Sequence, residues 1–428
     1  MNYPDSVQFL YALGNEVKTA KLGLGRVSML LEALGAPHRG GRIVHVAGTN
    51  GKGSTCALNE AALRAAGYRT GLFTSPHLLE PTERIRIDGA PVPRDLFTDA
   101  FRRVHEAAER LIQAEALELH PTYFETVTAM AFVLFRDLGA EWIVLETGLG
   151  GRLDATNVVL PVVATITPVD FDHEALLGSS LEAIAGEKAG ILKPGVPAVF
   201  ARQRAAAEEV LERRAAQLGV PVTRTREWEV RDLTLQAGGS QFLARGRREV
   251  RITCPLAGEY QVENALTAVA TLDLLGIPTA AIERGIAAAR WPGRLERVAV
   301  RPDIVLDGAH NPAGARALAA YLDRFYAGRV AGLIFGAMRD KALQEIGGIL
   351  FPRARRVLAT APAQTRAARP ETIVAMADHP DIRAVPDLAS ALALAREEAG
   401  PDDAIVIAGS LFLVGEAERL FGGAAAAL

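Results

Sequence analysis

Short apolar runs alternate with amphipathic stretches through the first two hundred residues. The runs Arg42–Ala47, Thr70–Phe73, Trp142–Glu146, Val162–Thr167 and Ala198–Phe200 predict strands. Leu96–Leu111, Thr122–Leu138 and Ala205–Leu218 repeat their apolar positions at helical spacing and predict helices. Near-continuous apolar strands separated by helices imply an α/β fold with a mostly parallel sheet covered on both faces. Polar and glycine-rich loops then fall after strand ends, at Gly48, Ser75, Gly148 and Asp170, where ligands bind such sheets. The pattern changes over Trp228–Thr253, where short alternations broken by Gly238-Gly239 and Gly246 predict a small antiparallel meander. Helices follow over Glu259–Ala289, and Trp291-Pro292-Gly293-Arg294 predicts a break. Beyond it the α/β alternation restarts: strand Ile304–Leu306, helix Ala313–Tyr326, then strands Val330–Phe335, Val357–Thr360 and Ala404–Ala408.

The expected organisation is a first α/β part over 1–291, with the meander at about 228–253. A hinge at 292–297 and a Rossmann-like α/β domain over 298–428 complete it. The alanine-rich tail, 424–428, is expected to be disordered. A length of 428 residues and 49% hydrophobic content suit such a multidomain enzyme. A net charge of −3 provides no basic field for nucleic acid. The two cysteines, Cys56 and Cys254, make neither a disulfide framework nor a zinc site. No run reaches membrane-spanning length and no signal peptide opens the chain, so the expectation is a cytoplasmic protein without membrane partners, by default a monomer.

Candidate chemistry centres on Gly48-Thr49-Asn50-Gly51-Lys52-Gly53-Ser54, between an apolar strand and a helix-like run from Ser54 to Ala66. Glycines let backbone N–H groups face an anion, the helix N-terminus adds partial positive charge, and Lys52 supplies a point charge. The common phosphate loop places Ser or Thr directly after the lysine; here Gly53 intervenes. Glu146, ending an apolar strand before Gly148-Leu149-Gly150-Gly151, is placed to hold Mg²⁺ against a nucleotide. Ser75 ends another strand and is a candidate metal ligand or an ordinary Ser-Pro turn; His173, following the strand Val162–Thr167 beside Asp172, is a candidate metal ligand or a surface or capping residue. Lys188 alone reads as a solvated helix-end lysine. In Asp307-Gly308-Ala309-His310-Asn311-Pro312 a turn explains Gly, Asn and Pro but not Asp307 beside His310, so this second-domain loop is a site candidate that includes Asn311.

Together these segments resemble the folylpolyglutamate synthase and dihydrofolate synthase family of the Mur ligase superfamily. The resemblance rests on 48–54, Thr74-Ser75-Pro76-His77, Glu146 through Asn157, Asp172-His173, Glu187-Lys188-Ala189-Gly190-Ile191, Asp307 through Pro312 and Gly409-Ser410-Leu411. It implies that Asn50, Gly51, Lys52, Gly53 and Ser54 bind ATP, joined by Asn264, Arg294 and Asp307. It implies Ser75, Glu146 and His173 as Mg²⁺ ligands, and Lys188 as a lysine carbamylated by CO₂, which replaces its bland reading. Thr122, Tyr123, Phe124 and Glu125, with Leu153, Asp154 and Ala155, match a segment pair that binds dihydropteroate in bifunctional members; Phe124 reads equally well as helix core. The implied reaction makes an acyl phosphate from ATP and a folate carboxylate, which the α-amine of L-glutamate then attacks. Lys52, Lys188 and His173 are its expected catalytic residues, and dihydropteroate and reduced folates its expected acceptors. Closure about the hinge would exclude water.

Competing readings fit less well. A sugar-peptide Mur ligase carries a domain ahead of the loop, and only 47 residues precede Gly48. A regulatory GTPase needs Asn-Lys-x-Asp, and no Asn here precedes Lys. Gly148-Leu149-Gly150-Gly151 has the wrong spacing for a dinucleotide fingerprint. A monofunctional folylpolyglutamate synthase is the nearest alternative.

Overall fold

The computed structural model describes residues 2–14 and 23–422; the alanine-rich tail lies outside the described residues. Two sheets of mixed α/β layers and one small sheet carry the chain. The first is eight-stranded, built from β1 (Arg42–Ala47), β2 (Thr70–Phe73), β3 (Ile85–Ile87), β4 (Ala90–Pro91), β5 (Trp142–Glu146), β6 (Val163–Ile166), β7 (Ala198–Phe200) and β8 (Val222–Arg224). Their order is β4-β3-β2-β5-β1-β6-β7-β8. Every pairing from β2 to β8 is parallel; β2–β3 and β3–β4 are antiparallel and close one edge. In register, Val46 faces Glu146 and Ala47 faces Ile166, so the loops after β1, β5 and β6 open at one end of the sheet.

Strands β1, β2, β5 and β6 match their apolar runs to within one residue at each end because both faces are covered, which turns a buried parallel strand into an unbroken hydrophobic run. The short edge strands β3, β4 and β8 are partly exposed and left no such run. Close helix–sheet and helix–helix approach depends on small residues. The helix Lys52–Ala65 is buried from Ser54 to Leu63. The helix Thr279–Ala288 lies against it so tightly that a Cβ on Gly285 would sit 2.3 Å from the Ala62 Cα. Gly71 on β2 likewise sits under the Phe135 ring, where a Cβ would come within 2.6 Å.

The expected meander is present as β9 (Glu229–Gln236), β10 (Gly239–Arg245) and β11 (Glu249–Cys254), in the order β11-β10-β9. The burial of β11 alternates residue by residue, as for a sheet with one wet face. The third sheet contains β12 (Glu296–Ala299), β13 (Asp303–Asp307), β14 (Val330–Phe335), β15 (Ala354–Ala359), β16 (Ile382–Ala384) and β17 (Ala404–Ala408), ordered β12-β13-β17-β14-β15-β16. All its pairings are parallel except β12–β13. Strand β12 escapes the sequence reading because its burial is broken, and β16 because it is short and exposed.

The chain divides into two compact units. The first comprises Met1–Arg231, Leu243–Ile252 and Glu263–Ala289; the second comprises Asp232–Phe242, Thr253–Val262 and Arg290–Leu428. The first holds two cores side by side along one face of its sheet: a large aromatic one around Phe73, Phe97, Phe101, Phe132 and Phe135, and a smaller one around Ile166, Ile184, Phe200 and Leu211. The second is centred on Val305, Leu322, Leu333, Phe335 and Val406. No described helix is long and apolar enough to cross a membrane.

Candidate functional site

In the first unit the chain leaves β1 through a loop that only glycine can build. Gly48 has φ +151°, and a Cβ there would fall 1.9 Å from Thr167 Oγ1. Gly51, at φ +83°, caps the helix Lys52–Ala65, and its Cβ would meet the Asn264 amide oxygen at 2.1 Å. The resulting turn presents the N-terminus of a fourteen-residue helix to the sheet's carboxyl end, the arrangement that binds phosphate through backbone N–H groups. The loop is tied to the segment after β6: Thr49 Oγ1 donates to the Asp170 carbonyl (2.9 Å) and accepts from Asp170 N (3.0 Å), while Thr49 N donates to the Pro168 carbonyl (3.0 Å).

Two lysines converge on this loop. Lys52 Nζ donates to the Gly48 and Thr49 carbonyls, both at 3.1 Å. Lys188 Nζ donates to the same Gly48 carbonyl at 2.8 Å. Lys188 is 4% exposed, so it is no solvated helix-end residue. Burial, and then the Lys52 charge, push its amine down to about 7, against the pull of Asp172 and Asp154. A buried lysine near neutrality is a nucleophilic amine rather than a fixed cation.

Glu146, at the end of β5, is 3% exposed and accepts a hydrogen bond from Ser75 N at 3.0 Å, so the ends of β2 and β5 meet. Its charge, after burial itself, holds the Cys56 thiol high. His173 has φ +53°, and its backbone N donates to Asp172 Oδ1 at 2.9 Å. Its ring is only partly covered, with Nε2 3.9 Å from that carboxylate oxygen. Glu146 and Ser75 therefore meet beside the glycine turn and offer the oxygen donors that Mg²⁺ prefers, while His173 follows β6 with its ring partly open.

The glycine loop after β5 is built against the Lys188 helix. A Cβ on Gly151 would fall 2.8 Å from the Glu187 carbonyl, and one on Gly190 2.3 Å from the Arg152 side chain. Asn157 Nδ2 bridges the Arg152 and Gly190 carbonyls, both at 3.0 Å. Asp154 points back into this loop: one carboxylate oxygen accepts from Gly148 N and Leu149 N, both at 2.8 Å, and the other from Thr156. Thr156 Oγ1 in turn contacts His45 Nε2 at 2.9 Å, on a ring that burial holds down to about 3 and therefore neutral. Ala155 is buried and Leu153 half-buried.

Thr122 and Glu125 form a capping box on the helix Tyr123–Asp137. Glu125 Oε2 accepts from Thr122 N at 2.8 Å, Thr122 Oγ1 accepts from Glu125 N at 3.3 Å, and Arg26 pairs with the Glu125 carboxylate at 3.2 Å. Phe124 is 7% exposed and lies flat against the loop, where a Gly148 Cβ would strike its ring at 2.5 Å. Tyr123 stacks on Tyr11 with centroids 5.9 Å apart, and the Arg84 guanidinium lies 5.0 Å over its ring.

In the second unit, Asp307 ends β13 and accepts from Leu295 N and Ala309 N, both at 2.9 Å; burial raises its carboxyl although the Arg294 charge opposes this. Arg294 donates to the Gly293 carbonyl at 3.0 Å. His310 Nδ1 lies 2.7 Å from the Gly308 carbonyl, and Asn311 caps the helix Pro312–Phe325 by accepting from Gly314 N at 2.8 Å. The loop therefore has a structural account for each of its polar residues.

Of the residues singled out in the first unit, the structure brings Gly51 to Ser54, Asn264, Lys188, Glu146 and Ser75 around one strand-end region. The sequence reading missed the latch made by Thr49 and Asp170. It also missed the seam of Gly151, Asn157 and Gly190; the small residues at Gly151 and Gly190 were the available signal.

Known proteins match this arrangement along the whole chain. The Mur ligase middle domain matches residues 46–272, and the Mur ligase, glutamate ligase domain matches 293–411. A dihydrofolate synthase/folylpolyglutamate synthase of Bacillus subtilis is 38% identical over 336 residues, 76% of this chain and 78% of its own length. A probable bifunctional folylpolyglutamate synthase/dihydropteroate synthase of Haloferax volcanii is 36% identical over 97% of this chain, which spans about half (50%) of that relative. Among solved structures, Mycobacterium tuberculosis folylpolyglutamate synthase complexed with ADP and AMPPCP superposes with a TM-score of 0.91, at 35% identity and with 98% of this chain and 99% of that one covered. Escherichia coli FolC in complex with DHPP and ADP gives 0.88, at 30% identity and with 99% and 98% covered.

Proposed function

The chain belongs to the folylpolyglutamate synthase/dihydrofolate synthase family of Mur ligases, and from that premise we propose that it joins L-glutamate to dihydropteroate and to the γ-glutamyl tail of reduced folates at the expense of ATP. The observation that carries this reading is the glycine loop of Gly48 and Gly51 with two lysines on one carbonyl, next to the Ser75–Glu146 contact. It provides a phosphate cradle, a mobile charge and a carboxylate at one strand end. The complexes of relatives with ADP, AMPPCP and DHPP support the nucleotide and the pterin.

The substrate carboxylate attacks the γ-phosphorus of ATP, the bond to the β-bridging oxygen breaks, and ADP leaves. The amine of L-glutamate then attacks the acyl phosphate carbonyl, loses a proton and expels phosphate. Backbone N–H groups at Gly51–Ser54 bind the phosphates, and Lys52 exchanges its two carbonyl partners for the transferring phosphoryl oxygens, neutralising charge as it spreads. Glu146, with Ser75 and His173, would hold Mg²⁺, which when bound would supply positive charge to offset that of the phosphates. Lys188, with a near-neutral amine, takes up CO₂ and loses a proton to become a carbamate, an anion beside the Lys52 cation. Asp154 holds the Gly148–Leu149 loop that faces Phe124, and so shapes the acceptor side.

A monofunctional folylpolyglutamate synthase is the second reading. It is favoured by the engagement of Thr122 and Glu125 in the capping box and by the burial of Phe124 against Gly148, which occupy side chains assigned to dihydropteroate. Parallel assays with dihydropteroate and a reduced folate separate the two: turnover of both supports the bifunctional enzyme, and turnover of the folate alone supports the second reading.

A further inference from the structure

Away from the strand-end region, three side chains that take no part in ligation face one another. His105 and Glu109 lie one turn apart on the helix Arg94–Gln113, so they share a face. His120 comes from the segment leading into the helix Tyr123–Asp137. One donor atom from each falls within 4.8 Å of the other two. His105 Nδ1 is 3.9 Å, and His120 Nε2 4.0 Å, from the same carboxylate oxygen, Glu109 Oε1. These separations are too long for hydrogen bonds. His105 Nδ1 and His120 Nε2 are both buried and, among the described residues, have no hydrogen-bond partner. Leaving two buried nitrogens unpaired is costly unless something lies between them.

The rings are also pre-oriented. His120 Nδ1 is 2.9 Å from the Pro121 carbonyl. A carbonyl only accepts, so Nδ1 carries the proton and Nε2 turns its lone pair toward Glu109, which is how metal-ligating imidazoles are usually fixed. His105 stacks on Phe101 (5.6 Å, 5°) and is met edge-on by Phe9 at 4.6 Å, while Phe9 also abuts His120 at 5.6 Å. These aromatic walls leave the imidazoles few alternative orientations. Glu109 is 43% exposed, so the third side of the cluster opens to solvent.

We propose that His105, Glu109 and His120 form a binding site for a late first-row divalent ion such as Zn²⁺, with a fourth position open to water. Two imidazoles and one carboxylate are a borderline-soft donor set that suits such an ion and not Mg²⁺. Metal–ligand bonds of about 2.0–2.2 Å place donors roughly 3.3 Å apart, so side-chain shifts of about 1 Å close the cluster. Because His120 stands two residues before the Thr122 cap, the ion would pin the segment that starts the helix carrying Phe124.

The test uses the full-length, tag-free protein, stripped with chelator and held in excess Mg²⁺. It is titrated with Co²⁺ as spectroscopic probe and then with Zn²⁺ against a chromogenic chelator. The proposal expects one equivalent of Co²⁺ with visible ligand-field bands that Zn²⁺ bleaches. It expects His105→Gln, Glu109→Gln and His120→Asn each to weaken Zn²⁺ binding by more than about 100-fold, beyond the roughly 10–100-fold that losing an outer-shell partner costs. Metal-free melting temperatures establish that the variants fold, and Glu109→Gln, on the open side, is the variant least able to disturb packing. No Zn²⁺ uptake at micromolar concentration overturns the proposal. So does unchanged uptake in all three variants, or uptake that is lost in Glu146→Gln instead, which would place the ion at the ligation site.

Discussion

Burial sets the protonation of Lys188, and protonation sets what it can do. With its amine at about 7, roughly half of the molecules carry a neutral lysine at pH 7, about 90% at pH 8 and about 10% at pH 6. CO₂ adds only to the neutral form, so carbamate should rise with pH through this window. A ¹³C carbamate resonance from labelled bicarbonate should grow between pH 6 and 8 and vanish in Lys188→Met; a resonance that persists in the variant contradicts the assignment. Turnover in Lys188→Met should fall by at least about 100-fold, the scale of losing one charge-positioning group. Phe124 is the second residue-level test. Its ring fills the space over Gly148, so Phe124→Ala should cost about 3–5 kcal/mol of stability and lower activity on dihydropteroate and folate alike. A selective loss with dihydropteroate, in a variant that melts normally, would make the ring a pterin contact.

Among elements, the buried parallel strands were legible and the edges were not. Strands β1, β2 and β5 stand where their apolar runs predicted because strand, burial and hydrophobicity coincide there. The edge hairpin Ile85–Pro91 and the strand Val222–Arg224 have mixed exposure, and pattern alone does not separate them from loop. The phosphate loop was readable because glycine at positive φ and the following helix leave a compositional trace. Asp154 left no such trace: only the resemblance singled it out, and the structure adds that its oxygens accept from the backbone of 148–149 and from Thr156. Lys188 was readable only through the resemblance, since burial depends on packing that no local pattern encodes. The Gly285–Ala62 contact gives an element-level prediction. Gly285→Val forces the helix Thr279–Ala288 off the helix Lys52–Ala65, at a cost of at least about 1–3 kcal/mol. The melting temperature should fall and ATP affinity with it, since the second helix begins at the phosphate loop; an unshifted melt would show that the two helices separate freely.

For the molecule as a whole, two Mur ligase domain matches on one chain, over 46–272 and 293–411, fix the class of chemistry more firmly than any single motif. Net charge, cysteine count and hydropathy only excluded alternatives; the ordered series of segments from Gly48 to Leu411 identified the family. The central claim is that ATP cleavage here is coupled to amide formation with L-glutamate. The most direct measurement is ADP release by the purified protein with Mg-ATP and a reduced folate, with and without L-glutamate, followed by mass analysis of the folate. The account predicts ADP release that depends on both co-substrates and a product heavier by one glutamyl residue for each ADP formed. ADP release indifferent to L-glutamate, or a folate of unchanged mass, would contradict it.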